Sequence, residues 1–182
     1  MRGLTIATGW ILIPCLAVVL AAFGCGGNGG LGDDDDSAAP STSLTLNELL
    51  ASNDTVVADE AGEFDDWLEL YNSGDEPVDL GGWSLSGGPR SQEAPWVVPG
   101  GVTVPAQGFL LIWADDDVEQ GELHTDFKLS KAGETLVLYQ PSGEQADSIE
   151  FPAQETDRSW GRLPDGGGDW QQLSDPSPAQ AN

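Results

Sequence analysis

Beyond residue 43 the apolar residues recur at every second position in short runs, and turn residues separate one run from the next. No other feature constrains the fold as much. Alternation with a period of two puts one set of side chains on one face of a strand, whereas a helix needs a period near 3.6. Leu44 and Leu46 alternate with Thr45 and Asn47, Leu68 and Leu70 with Trp67, Glu69 and Tyr71, and Leu136 and Leu138 with Thr135, Val137 and Tyr139. Each reads as a strand with one face inward. Phe109–Trp113 is apolar at every position, the pattern of a central strand covered on both sides or of one that also lies against a loop, and it reads as the middle of the core. Corners are supplied by Asn72-Ser73-Gly74, Gly81-Gly82, Pro99-Gly100-Gly101, Pro141-Ser142-Gly143 and residues 165–168. Pro141 presets the first corner residue and Gly143 suits the exit of a type I turn, so residues 135–139 and 145–151 are predicted to form a hairpin. The sum is an all-β sandwich.

Such a sandwich must be held by burial. Both cysteines, Cys15 and Cys25, precede it, so it can contain no internal disulfide. Trp67, Trp83, Trp96, Trp113, Trp160 and Trp170 lie within it, and their large surfaces are expected to join the two sheets. About 150 residues follow Cys25, enough for one core.

The first 43 residues have another character. Arg2 gives a short positive start, residues 6–22 are apolar, and Ala22-Phe23-Gly24 places small residues ahead of Cys25. This pattern resembles a bacterial lipoprotein signal, with Cys25 the residue to be acylated; ordinary secretory cleavage at the same place is the alternative. A retained membrane helix fits less well, because Pro14 interrupts a run that is short for a bilayer near 30 Å thick. Residues 25–42, rich in Gly, Ser and Pro and carrying Asp33, Asp34, Asp35 and Asp36, read as a flexible tether. The expected organisation is therefore a signal at 1–24, a linker at 25–42 and one β-sandwich domain at 43–182.

Charge excludes one class of partner. Only six Lys and Arg stand against 31 Asp and Glu, a formal net charge of −25, and such a surface repels the phosphates of nucleic acid.

Chemistry is sparse. His124 is the only histidine and the first candidate for acid–base work. No Gly-x-Ser-x-Gly elbow accompanies it, and Ser159 lies in a strand-like Arg-Ser-Trp-Gly context rather than on a nucleophile turn. One histidine without a thiol pair argues against structural zinc. Oxygen ligands are plentiful: Asp115, Asp116, Asp117 and Glu119 follow the 109–113 segment, and Asp65 and Asp66 precede another strand, so a loop could gather three of them around calcium. Glu48 and Glu69 fall among large apolar neighbours, where an unpaired carboxylate is costly, and Lys128 and Arg162 are their expected partners.

Several blocks in one order carry a resemblance. They are residues 46–49 (Leu-Asn-Glu-Leu), 66–72 (Asp-Trp-Leu-Glu-Leu-Tyr-Asn), 78–85 (Val-Asp-Leu-Gly-Gly-Trp-Ser-Leu), 109–115, 123–130, 133–136, 157–162 and the closing segment 177–182. Together they resemble a bacterial lamin tail domain over residues 43–182. The resemblance implies an immunoglobulin-like β-sandwich and little chemistry; such modules often accompany hydrolase domains and are taken to bind or position. The functional expectation is a non-catalytic, surface-displayed lipoprotein, held to the membrane through Cys25 and offering its domain to a protein or other envelope component. No cofactor, metal ligand or catalytic residue is assigned in this reading, and the location expected is the outer membrane or cell surface. Two alternatives stand beside it: a calcium-dependent adhesive or structural module, and a secreted hydrolase using His124 or the acidic loops.

Overall fold

The computed structural model describes residues 42–87 and 94–182. The expected leader, Cys25 and all of the expected linker but its last residue lie outside the described residues. Eleven strands and no helix make up the described part. They are β1 (Leu44–Leu50), β2 (Trp67–Asn72), β3 (Val78–Asp79), β4 (Ser84–Ser86), β5 (Trp96–Val97), β6 (Thr103–Val104), β7 (Phe109–Trp113), β8 (Glu134–Tyr139), β9 (Gln145–Phe151), β10 (Ser159–Leu163) and β11 (Asp169–Leu173).

All named pairings are antiparallel. One sheet has five strands in the order β11-β10-β1-β2-β7, a second has four in the order β5-β4-β8-β9, and β3 and β6 form a short pair. Leu46, Leu49, Leu68, Leu70 and Ile112 from the first sheet meet Leu85, Leu136, Leu138 and Phe151 from the second in one apolar core. Trp83 and Trp96 belong to that core, and Trp160 and Trp170 pack against it. The strands build the all-β sandwich read from the sequence, but of the six tryptophans expected to join its sheets only these four do; Trp67 and Trp113 lie elsewhere.

The predicted hairpin is β8–β9. Gln140 and Glu144 close it through Gln140 N–H to Glu144 O at 2.8 Å, and Gly143 takes a φ of 86°, a region that suits glycine. Leu136 and Leu138 are buried between more accessible neighbours, as alternation requires.

Two expectations are corrected. Phe109–Trp113 is not the middle of the core: β7 is the edge of the five-stranded sheet, and β1 and β2 lie at its centre. Its apolar character on both faces has another cause. Leu111 and Trp113 point away from the main core and join Leu50 and Trp67 in a second cluster, packed with Val56 and Val57 of the 51–66 loop. Nor do β1 and β2 have only one face inward, because every residue of each is buried except Thr45 and Tyr71, which are half-buried.

A β-bulge makes this double burial possible. The register of β1 against β2 shifts between Leu46 and Glu48, and a slip of one residue exchanges the faces of a strand. Leu44 and Leu46 face the main core before the shift; Leu49 and Ala51 face it afterwards, which sends Leu50 to the second cluster.

Candidate functional site

β7 ends at Trp113, and the chain returns beside it. Trp113 N–H donates to Leu123 O at 2.8 Å, and Thr125 N–H donates to Trp113 O at 2.9 Å, which fixes His124 as a short parallel neighbour of the strand. Its ring stacks on Trp113 with centroids 6.3 Å apart. The ring is buried, Nδ1 is bonded to Asp115 Oδ2, and Nε2 faces Glu60 Oε1 at 3.4 Å. Burial opposes the charged imidazolium, but Asp115, and after it Glu60, favour it and prevail, so the His124 pKa is raised. His124 also lines a cleft of about 370 Å³ with Trp96, Pro99, Val118, Gly121 and Glu122.

This arrangement is poor for general-base catalysis. A base needs a ring nitrogen with a lone pair turned to substrate, and both nitrogens face carboxylates. Ser159 cannot serve as its nucleophile. It opens β10, which β1 and β2 separate from β7, and three strand spacings amount to roughly 14 Å.

The acidic residues divide differently from the sequence reading. Asp115 holds His124 and receives Asp117 N–H at 3.1 Å. Asp117 and Glu63 share the Gln120 amide, at 3.1 and 2.8 Å, which joins the 115–120 loop to the 59–65 loop. Asp116 and Glu119 are exposed. Burial pushes the Asp66 carboxyl up to about 6. The trio that does converge is Asp59, Glu63 and Asp65, each bringing a carboxylate oxygen within 4.8 Å of the others. Asp65 alone was a sequence candidate; Asp59 and Glu63 carry no signal in a chain so rich in acids.

Glu48 and Glu69 sit directly opposite one another on β1 and β2 and are almost fully buried. The expected pairing with Lys128 or Arg162 does not form. Residues 177–182 lie over them instead: Ser177 N–H and Oγ–H donate to Glu48 at 3.2 and 3.0 Å, and Ala179 N–H donates to Glu69 Oε2 at 2.6 Å. Asn47, the bulge residue, gives its amide to Glu69 at 3.1 Å and to Asp165 at 2.9 Å. Asn182 completes the cover through Arg162 O at 2.8 Å. Gly161, opposite Glu48 on β10, leaves the room: a Cβ there would stand 2.9 Å from Asn182 Nδ2 and 2.7 Å from Leu173 Cδ1. Burial, and to a lesser degree the neighbouring carboxylates, push Glu69 up to about 8, and burial raises Glu48 as well.

Arg162 faces the other way, between the sheets. Its guanidinium meets Asp147 of β9 at 3.1 Å, lies over the Trp170 ring at 4.9 Å, and donates from Nε to Leu46 O at 2.9 Å. Lys128 is exposed beside Asp115.

Two packed antiparallel sheets, one core and polar groups engaged mainly in holding the frame define an immunoglobulin-like β-sandwich module. A family model described as Lamin Tail Domain matches residues 37–153, more than half of the chain, and the chain belongs to that family. The family is a non-enzymatic fold family. The match ends before β10, yet β10 and β11 extend the same five-stranded sheet. No curated protein matches the chain.

Proposed function

We propose that this chain is a non-catalytic interaction module, exported from a bacterial cell and held at a membrane by lipid on Cys25. The observation that supports it most is the state of its one histidine: a buried imidazole with a carboxylate at each ring nitrogen serves the frame rather than a reaction. Membership of a non-enzymatic family points the same way. Anchoring rests on the leader sequence, and two or more acyl chains suffice for stable attachment where one is marginal. The module then presents its sheet edges and loops to a protein or another envelope component, and its acidity turns nucleic acid away.

Mass analysis of the N-terminus of native material is the test of anchoring. A diacylglyceryl-modified Cys25 is expected; a free amine with no acyl adduct would refute attachment. The non-catalytic half fails if the purified chain turns over an ester, phosphodiester or glycoside and His124→Ala abolishes that turnover.

A further inference from the structure

We propose that Asp59, Glu63 and Asp65 hold a calcium ion that fixes the 51–66 loop over the outer face of the five-stranded sheet. The loop is already shaped for it. Buried Asn53 donates to Val57 O at 2.7 Å and Asp65 O at 2.9 Å and accepts from Val56 N–H, so both ends of the acidic segment are clamped. Asp59 Oδ1 receives Ala61 N–H at 2.9 Å and Glu63 N–H at 2.7 Å.

The second oxygen of Asp59 is the telling one. The residue is 9% exposed, and Oδ2 is shut off from solvent with no hydrogen-bond donor beside it. An ionised oxygen in that condition is costly, and a native structure leaves few such groups without a partner. Among the described residues no lysine or arginine forms an ion pair with Asp59, Glu63 or Asp65.

The donor set selects its chemistry. Three carboxylates with no thiol or imidazole favour a hard, oxygen-seeking dication over zinc or copper. Three oxygens within 4.8 Å of one another lie no more than about 2.8 Å from a common centre, close to the calcium range of about 2.3–2.6 Å, and the exposed Glu63 side leaves room for water to complete the shell. The consequence is mechanical. Val56 and Val57 of this loop cover Leu50, Trp67 and Trp113, so an ion at its far limb holds down the lid of the second core. This assignment is independent of lipid anchoring and of the absence of catalysis.

Calorimetric titration of calcium chloride into the full chain, at neutral pH and about 0.15 M sodium chloride, tests it. One saturable site with a Kd of about 10⁻⁴ to 10⁻³ M is expected. About 10 mM calcium should then shift the folding equilibrium roughly 10- to 100-fold towards the native state, and the same concentration of magnesium should do less. Glu63→Gln, at an exposed position that leaves both Asp59 hydrogen bonds in place, and Asp65→Asn should each weaken binding at least tenfold. A titration without saturable heat overturns the proposal. So does binding that both variants leave unchanged, which would mean ions held diffusely by the acidic surface.

Discussion

Glu69 shows how a single side chain can be stable in a place that its chemistry opposes. Among the described residues it meets no cation; it accepts from Asn47 and from the backbone of Ala179, with Glu48 directly across the strand pair. Its pKa is about 8 in the folded chain against an ordinary 4.5, so the folded state binds the proton more tightly than the unfolded state. For such a group the stabilisation is fully present below about pH 4.5 and is lost as pH rises through 8. At about 1.4 kcal/mol per pKa unit the effect is on the order of a few kcal/mol. Thermal unfolding between about pH 5 and 9 is expected to show this decline, and Glu69→Gln should flatten it while costing about 1 kcal/mol at low pH for the acceptor it lacks. An equally steep decline in the variant would place the titration elsewhere. The need of Glu48 and Glu69 for partners is legible in the sequence, because carboxylates among large apolar residues cannot stand alone. The identity of those partners is not, since every residue but proline carries a backbone N–H and only the folded path brings those of Ser177 and Ala179 into reach.

Among the elements, β1 organises most of the rest, and it does so through its bulge. Only Glu48 and Leu49 pair with β10. The backbone of Leu46, beyond that short ladder, is satisfied by side chains: its N–H across the sandwich by Asp147 at 3.0 Å and its carbonyl by Arg162 of the neighbouring β10. Arg162 and Asp147 thus tie the two sheets together at one side, half-shielded from water. Arg162→Met removes the Leu46 carbonyl bond and leaves Asp147 without its cation, and should cost about 2 kcal/mol in urea unfolding near pH 7; adding Asp147→Asn, which removes the unpaired charge but keeps an acceptor for Leu46 N–H, should recover part of that loss. Gly161 is the second test at this scale. A methyl group there collides with Asn182 and Leu173, so Gly161→Ala is expected to cost about 1 to 3 kcal/mol. Hydrogen exchange at the Ser177 and Ala179 amides should accelerate in the same variant, because their cover has been displaced. The runs of alternating leucines announced β1, β2 and β8, but the bulge did not announce itself, since Asn47 reads like any polar residue on a strand. The edge position of β7 was hidden for a related reason: an apolar strand looks the same whether a second sheet or a loop covers its other face.

At the scale of the whole molecule, the chain carries a net charge of −25, most of it on a domain without crosslinks. Self-repulsion of this kind is long-ranged, and it weakens as the screening length falls from about 30 Å at 0.01 M salt to about 8 Å at 0.15 M. Raising sodium chloride over that interval should therefore raise the melting temperature by a few degrees; a flat response would show that the charges are already neutralised locally. The outer face of the five-stranded sheet explains why so acidic a chain still buries enough surface. The 51–66 loop covers one end through Val56 and Val57, and residues 177–182 cover the middle. Gly166 packs on Tyr71 at the other end. The sequence by itself determined the class of fold, the β8–β9 hairpin, the lack of a disulfide and the poverty of catalytic groups, because these follow from period, turn chemistry and composition, which are local. Tertiary structure alone decided which strand lies at the edge, which amides hold Glu48 and Glu69, and which three of many carboxylates meet at Asp59. These depend on contacts between residues 100 or more positions apart, such as Ala179 with Glu69, or on loop paths that short-range pattern does not encode.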